Sequence, residues 1–74
     1  MTITDLAART RADAELMAAQ AERLREIRDR IIGREGIPEW FDGEISAHIA
    51  RCRTAAADLT TAARRLTAHV GSDS

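Results

Sequence analysis

Three side chains able to bind a metal recur at one-turn intervals: Glu44, His48 and Cys52. Carboxylate, imidazole and thiolate are all zinc donors, and i,i+4 spacing lets two of them share an ion. Three on one helix span two turns, however, and do not converge easily. Each also has a plainer role. Glu44 stands where a helix would begin, His48 flanks an apolar row, and Cys52 fills a slot in that row as a small hydrophobe. The expectation is therefore no metal and no cofactor. Cys52 as a nucleophile would have His48 one turn away and Arg51 and Arg53 beside it, the surroundings that favour a thiolate. A slot in the apolar row is buried, and no third orienting group or oxyanion site accompanies it. The expectation is a protein without enzymatic activity and without catalytic residues.

The aromatic residues are Trp40 and Phe41, adjacent to one another and close to the sole proline. Tryptophan is enriched in interface hot spots, which makes the pair a candidate contact at the tip of the fold. The alternative role is to close the end of a core over Ile32, Ile37 and Ile45. Arg51, Arg53, Arg64 and Arg65 give the later part of the chain a local basic character, but the net charge is −1. Nucleic-acid binding usually leaves a strongly basic footprint, so a nucleic-acid accessory role ranks low. All eleven basic residues are arginine; beside so much alanine, this reads as the mark of a GC-rich genome.

The elements that would carry these residues are helices. Residues 5 to 32 and 44 to 70 contain no glycine or proline, whereas Gly33, Gly36, Pro38 and Gly43 cluster between them. Thr2 and Asp5 have capping-box spacing at the start of the first helix. Gly36 is the expected stop, with Ile37 folding back on Ile32. Pro38 suits the start of a second helix, where its missing N–H costs nothing. Glu39, Asp42 and Glu44 favour that same end through the helix dipole. Gly71 is the expected final stop. The expected layout is one helical hairpin over 1–74: helix 1 about 5–34, a turn about 35–42, helix 2 about 43–70 and a disordered tail 71–74.

The second segment carries an unbroken heptad row: Ile45, Ile49, Cys52, Ala56, Leu59, Ala63, Leu66 and Val70. A weaker row runs through the first: Leu6, Thr10, Asp13, Met17, Gln20, Leu24, Ile27 and Ile31. Doubling the chain at Pro38 sets Ile31 opposite Ile45, Ile27 opposite Ile49, Leu24 opposite Cys52 and Met17 opposite Leu59. Pattern and turn position agree, which supports an all-α, two-helix antiparallel hairpin of coiled-coil character. The outer faces carry opposite charges at i,i+4, such as Arg25 and Asp29, worth only ~0.2–0.5 kcal/mol each.

Such a hairpin has little to bury. Fifteen of the 74 residues are alanine, which favours helix but removes little surface from water. Burying a large side chain gains ~1.5–3 kcal/mol, while ordering each residue costs ~1.5 kcal/mol. The single cysteine excludes an internal disulfide. These terms point to a homodimer or to another helical protein as partner, the simplest product being a four-helix bundle. No apolar run approaches the ~20 residues of a membrane span. Arg9 and Arg11 interrupt any secretory apolar core after Ile3 and Leu6. The expected location is the cytoplasm, although export by a route that reads no such signal would leave the same sequence.

The turn segment Trp40-Phe41-Asp42-Gly43 and the stretch Ala57-Asp58-Leu59-Thr60-Thr61-Ala62-Ala63-Arg64-Arg65-Leu66 resemble the Trp-x-Gly family of small exported helical hairpins. The spacing between Trp40 and Gly43 is one residue longer than in that family, and the chain has no tyrosine for the family's tail signal. The resemblance implies a four-helix dimer that leaves the cell through a specialised secretion system. From the residues themselves, the expected function is a non-enzymatic protein–protein interaction module that associates with itself or docks on a helical partner, of the kind used as an accessory or regulatory protein by a mobile element or phage.

Overall fold

A computed structural model describes residues 1–73 as two helices, α1 (Ile3–Ile31) and α2 (Trp40–Asp73), folded against each other along their length. Ser74, part of the tail expected to be disordered, lies outside the described residues. The rod measures 60 × 15 × 14 Å. Its radius of gyration is 17.0 Å, against roughly 11 Å for a compact domain of this length. No helix among the described residues is long and apolar enough to cross a membrane.

The start of α1 is fixed by the capping box that its sequence spells. The Asp5 amide donates to Thr2 Oγ1 at 3.0 Å, and the Thr2 amide donates to Asp5 Oδ2 at 3.2 Å. Two amides that a helix start leaves without partners are thereby satisfied.

The expected helix boundaries need correction at the turn. Helix α1 stops at Ile31, three residues before the expected end, because Gly33 and not Gly36 terminates it. Ile32 takes an extended conformation (φ −60°, ψ 135°), Gly33 follows at φ +82°, and the Arg34 amide closes the turn on the Ile31 carbonyl at 3.1 Å. That is a type II turn, whose third position requires positive φ and so favours glycine. Gly36, at φ +86°, serves a second turn closed by Ile37 N–H on the Arg34 carbonyl at 3.4 Å. The connection over residues 32–39 thus holds two tandem turns, 31–34 and 34–37, rather than the single turn expected over 35–42.

Helix α2 begins at Trp40, with the Phe41 amide donating to the Pro38 carbonyl at 3.1 Å. Trp40 and Gly43 therefore lie in its first turn and not in the connection. At the other end α2 runs through Gly71 to Asp73, so neither a stop at Gly71 nor a disordered segment over 71–73 is present. Glycine in a helix costs about 1 kcal/mol relative to alanine, a penalty that weakens the last turn without forbidding it.

Candidate functional site

The seam between the helices holds everything that packs. On α2 the row is continuous: Ile49, Cys52 and Ala63 are buried, Ile45, Ala56, Leu59 and Leu66 are half-buried, and Val70 is exposed at the open end. Ile49 and Cys52 pack with Ala21 of α1, and Leu24 and Ile45 lean against them.

On α1 the seam differs from the expected row in every second slot. Thr10, Met17, Leu24 and Ile31 are half-buried, but between them lie Ala7, Ala14, Ala21 and Arg28, not Leu6, Asp13, Gln20 and Ile27. Ile27 is 40% exposed and Leu6 is 42% exposed, whereas Ala7, Ala14 and Ala21 are buried. The physical reason is polar burial. Putting Leu6 and Ile27 inside would also bury Asp13 and Gln20, and an unsatisfied buried polar group costs more than an exposed aliphatic one gains. The alanine row demands only that Arg28 share the interface. Its stem lies half-buried while its Nη1 donates to Ser46 Oγ at 3.3 Å, the behaviour of a snorkelling cation. The alanine heptad Ala7-Ala14-Ala21 was the legible signal; the larger residues one position earlier outweighed it.

Half-buried hydroxyls along the seam are satisfied within their own helix. Thr60 donates to the Ala56 carbonyl at 2.8 Å and Thr67 to the Ala63 carbonyl at 3.0 Å. Thr10 does the same with the Leu6 carbonyl at 2.8 Å. Such back-bonding lets threonine sit beside an apolar seam. Among the described residues no buried side-chain nitrogen or oxygen lacks a partner.

Two flanks border the seam, and they are chemically unlike. One is a shallow groove lined by Ala14, Ala18, Ala56, Thr60 and Ala63, with Arg11 and Arg64 on its rim. Near its open end Arg11 Nη2 reaches Thr67 Oγ1 at 3.4 Å. By helical periodicity the opposite flank carries Leu6, Leu16 and Ile27 among Arg9, Asp13, Gln20 and Arg23 on α1, and Ala55 and Ala62 among Arg51, Asp58 and Arg65 on α2. Leu16 is 64% exposed there. Isolated large apolar side chains thus stand on this flank among charged ones.

The residues singled out for chemistry do not come together. Cys52 is turned into the core, while Glu44 and His48 are exposed, and His48 Nδ1 lies 3.3 Å from Arg51 Nη2. No three metal-type side chains converge among the described residues. Arg51 and Arg65 fall on the Leu16 flank and Arg53 and Arg64 on the groove side, so these arginines form no single patch. At the tip Trp40 and Phe41 stand with ring centroids 6.4 Å apart at 57°. Phe41 is half-buried, but Trp40 is 66% exposed and Ile32 is exposed beside the turn. Of the two aromatics only Phe41 is in a position to close the core, beside the half-buried Ile37 and Ile45.

Charge is organised around Arg25. It pairs with Glu22 on one side and with Asp29 Oδ2 at 2.8 Å on the other, while Arg28 Nη2 lies 3.2 Å from Asp29 Oδ1. The hydrogen bond from Arg25 holds the Glu22 carboxyl below its ordinary value, with a smaller contribution from the nearby charge of Arg53. All of these groups remain accessible to water, so their stabilising effect is small.

No protein-family model, no curated protein and no solved structure matches this chain.

Proposed function

We propose that the chain is a small, non-enzymatic protein–protein interaction module whose working surface is the outside of the hairpin. The observation that supports this reading is surface area. The chain exposes 5572 Å², whereas a folded monomer of 8.1 kDa exposes about 4,500 Å². Its core explains the excess, since the buried residues are four alanines, one cysteine and one isoleucine. A hairpin with so thin a core gains most from covering apolar surface with another helix. Apart from Met1 at the start of the chain, Leu16 and Trp40, each about two-thirds exposed, are the large side chains with most to gain.

The test is recovery of partners from the native cell with the full tagged chain as bait, beside a Leu16→Glu variant. A protein recovered near stoichiometry by the parent and lost by the variant, whether an untagged copy of this chain or another helical protein, supports the reading. A parent chain that holds no protein under these conditions refutes it.

A further inference from the structure

We infer that the turn end of the rod is a docking site for a basic segment of a different protein, with a lysine or arginine of that segment lying across the Trp40 indole beside Glu39 and Glu44. This deepens the interaction-module reading, on which it rests, by naming the partner's chemistry.

The apolar part of the site is compact. Trp40 and Ile32 are exposed, Ile37 and Phe41 are half-buried, and all four stand at the end of a rod only 15 × 14 Å in cross-section. After Met1, Trp40 is the most exposed large apolar side chain among the described residues. Gly43, one turn further along α2, has open space where a Cβ would lie, so neither the indole nor any other side chain covers that position. Tryptophan is enriched among interface hot spots, and its ring face is the best aromatic surface for a cation.

Charge selects the occupant. From residue 32 to residue 50 the chain carries the carboxylates of Glu35, Glu39, Asp42 and Glu44 against the single guanidinium of Arg34. Arg30, at the end of α1, reduces that excess without reversing it, and Arg28 and Asp29 offset each other. Glu44 lies one turn from Trp40 on the same face of α2, and Glu39 precedes Trp40 in the chain. Both are exposed, and neither is in an ion pair among the described residues. Asp42 differs, since it accepts from Ser46 Oγ at 3.3 Å. The dipole of α2 offers roughly half a positive charge at this end, less than the carboxylates carry. A cation arriving here meets an open aromatic face and unpaired carboxylates together.

A second copy of the chain is a poor source of that cation. Contact between two turn ends would bring like charges together, which is unfavourable. The arginines of α2 are divided between two flanks, and those of α1 near the turn alternate with Glu22, Glu26 and Asp29.

Trp40 is the sole tryptophan, so its emission reads the site in the unmodified chain. The probe is a capped hexa-arginine peptide, with capped hexaglutamate as its control. At about 0.1 M salt, where exposed charges more than about 10 Å apart are largely screened, hexa-arginine should change the emission saturably and hexaglutamate should not. Glu39→Gln with Glu44→Gln should weaken binding about threefold or more. Asp13→Asn with Glu15→Gln makes the same charge change at the open end and should bind as the parent does. Trp40→Leu, followed through the anisotropy of a labelled probe, should also lose about threefold or more. Circular dichroism should stay helical throughout, since every altered side chain is exposed. No response to hexa-arginine overturns the proposal, as does an equal response to hexaglutamate, an equal loss from the distant pair, or undiminished binding by Trp40→Leu. A protein from the native cell held equally by the parent and by Trp40→Leu overturns this inference and leaves the module reading standing.

Discussion

The half of the hairpin near the turn and the half at its open end share one seam but are built from different materials. Near the turn, Ala21, Ile49 and Cys52 form one buried cluster with Leu24 and Ile45 packed against it, and Ile31 is half-buried. At the open end the seam is Ala7, Thr10, Ala14 and Ala63, with Leu66 half-buried and Val70 36% exposed. Alanine lets two helices approach closely, but it removes little apolar surface from water. The difference teaches that continuous contact along a coiled seam does not imply uniform stability. The open end should separate first, and amide exchange should be faster there than around Ile49.

The strongest way to break this comparison is to truncate one large side chain in each half. Ile49 is 2% exposed, and Ile49→Ala should destabilise the chain by ~2–5 kcal/mol through lost burial and a cavity. Val70→Ala at the open end should cost about 1 kcal/mol or less. Urea unfolding at one fixed protein concentration checks both, because association would otherwise shift the midpoints. Equal losses would mean that the two halves are equally well packed.

A second variant asks whether the alanines set the distance between the helices or leave it under-filled. Ala14 is 4% exposed, so Ala14→Leu should push the helices apart and cost about 1–3 kcal/mol. A gain in stability would show a void at the open end, and the contrast would then be one of missing volume and not of close approach.

How far the sequence reveals this arrangement also differs between the regions. On α2 the apolar row is continuous and dominated by large residues, so periodicity alone locates it. On α1 the half-slots Thr10, Met17, Leu24 and Ile31 are legible for the same reason. The remaining slots are not, because Leu6 and Ile27 compete with Ala7, Ala14, Ala21 and Arg28. The decision rests on the cost of burying Asp13 and Gln20, which residue-by-residue hydrophobicity does not count. Expecting the end of α1 at Gly36 failed for a related reason. Gly33 and Gly36 are both competent to take positive φ, and the earlier one acts first. Leu16 stands outside both apolar rows in the sequence itself, whereas Ile27 joins it outside the seam only once Ala14 and Ala21 occupy the seam.

The turn offers a sharper contrast than the seam. Gly33 holds φ +82° with open space where a Cβ would lie, so Gly33→Ala meets no neighbour and suffers only backbone strain, about 1–2 kcal/mol. Gly71 sits inside α2 with equally open space around it, and Gly71→Ala should stabilise the last turns by up to about 1 kcal/mol. Thermal unfolding of the two variants should move the midpoint in opposite directions.

The smallest effect lies in the charges near the turn. Arg25 donates to Glu22 and holds its carboxyl below the ordinary 4.5. A carboxylate depressed in the folded chain contributes its stability above the unfolded value and loses it as pH falls through the folded one. The contribution is therefore complete at neutral pH and disappears only below 4.5. Because Glu22 is exposed, solvent screening keeps the effect on unfolding slight, and the direct observable is the carboxyl itself. Titration followed by carbon-detected NMR should find its midpoint below 4.5 in the parent and closer to 4.5 in Arg25→Gln. The Arg11–Thr67 contact at the open end joins a cation to a neutral hydroxyl, so Arg11→Gln should leave the Glu22 midpoint where it was. A Glu22 midpoint insensitive to Arg25→Gln would mean that the pair does not persist in solution, and the turn end would then owe its advantage to Ile49 and its neighbours alone.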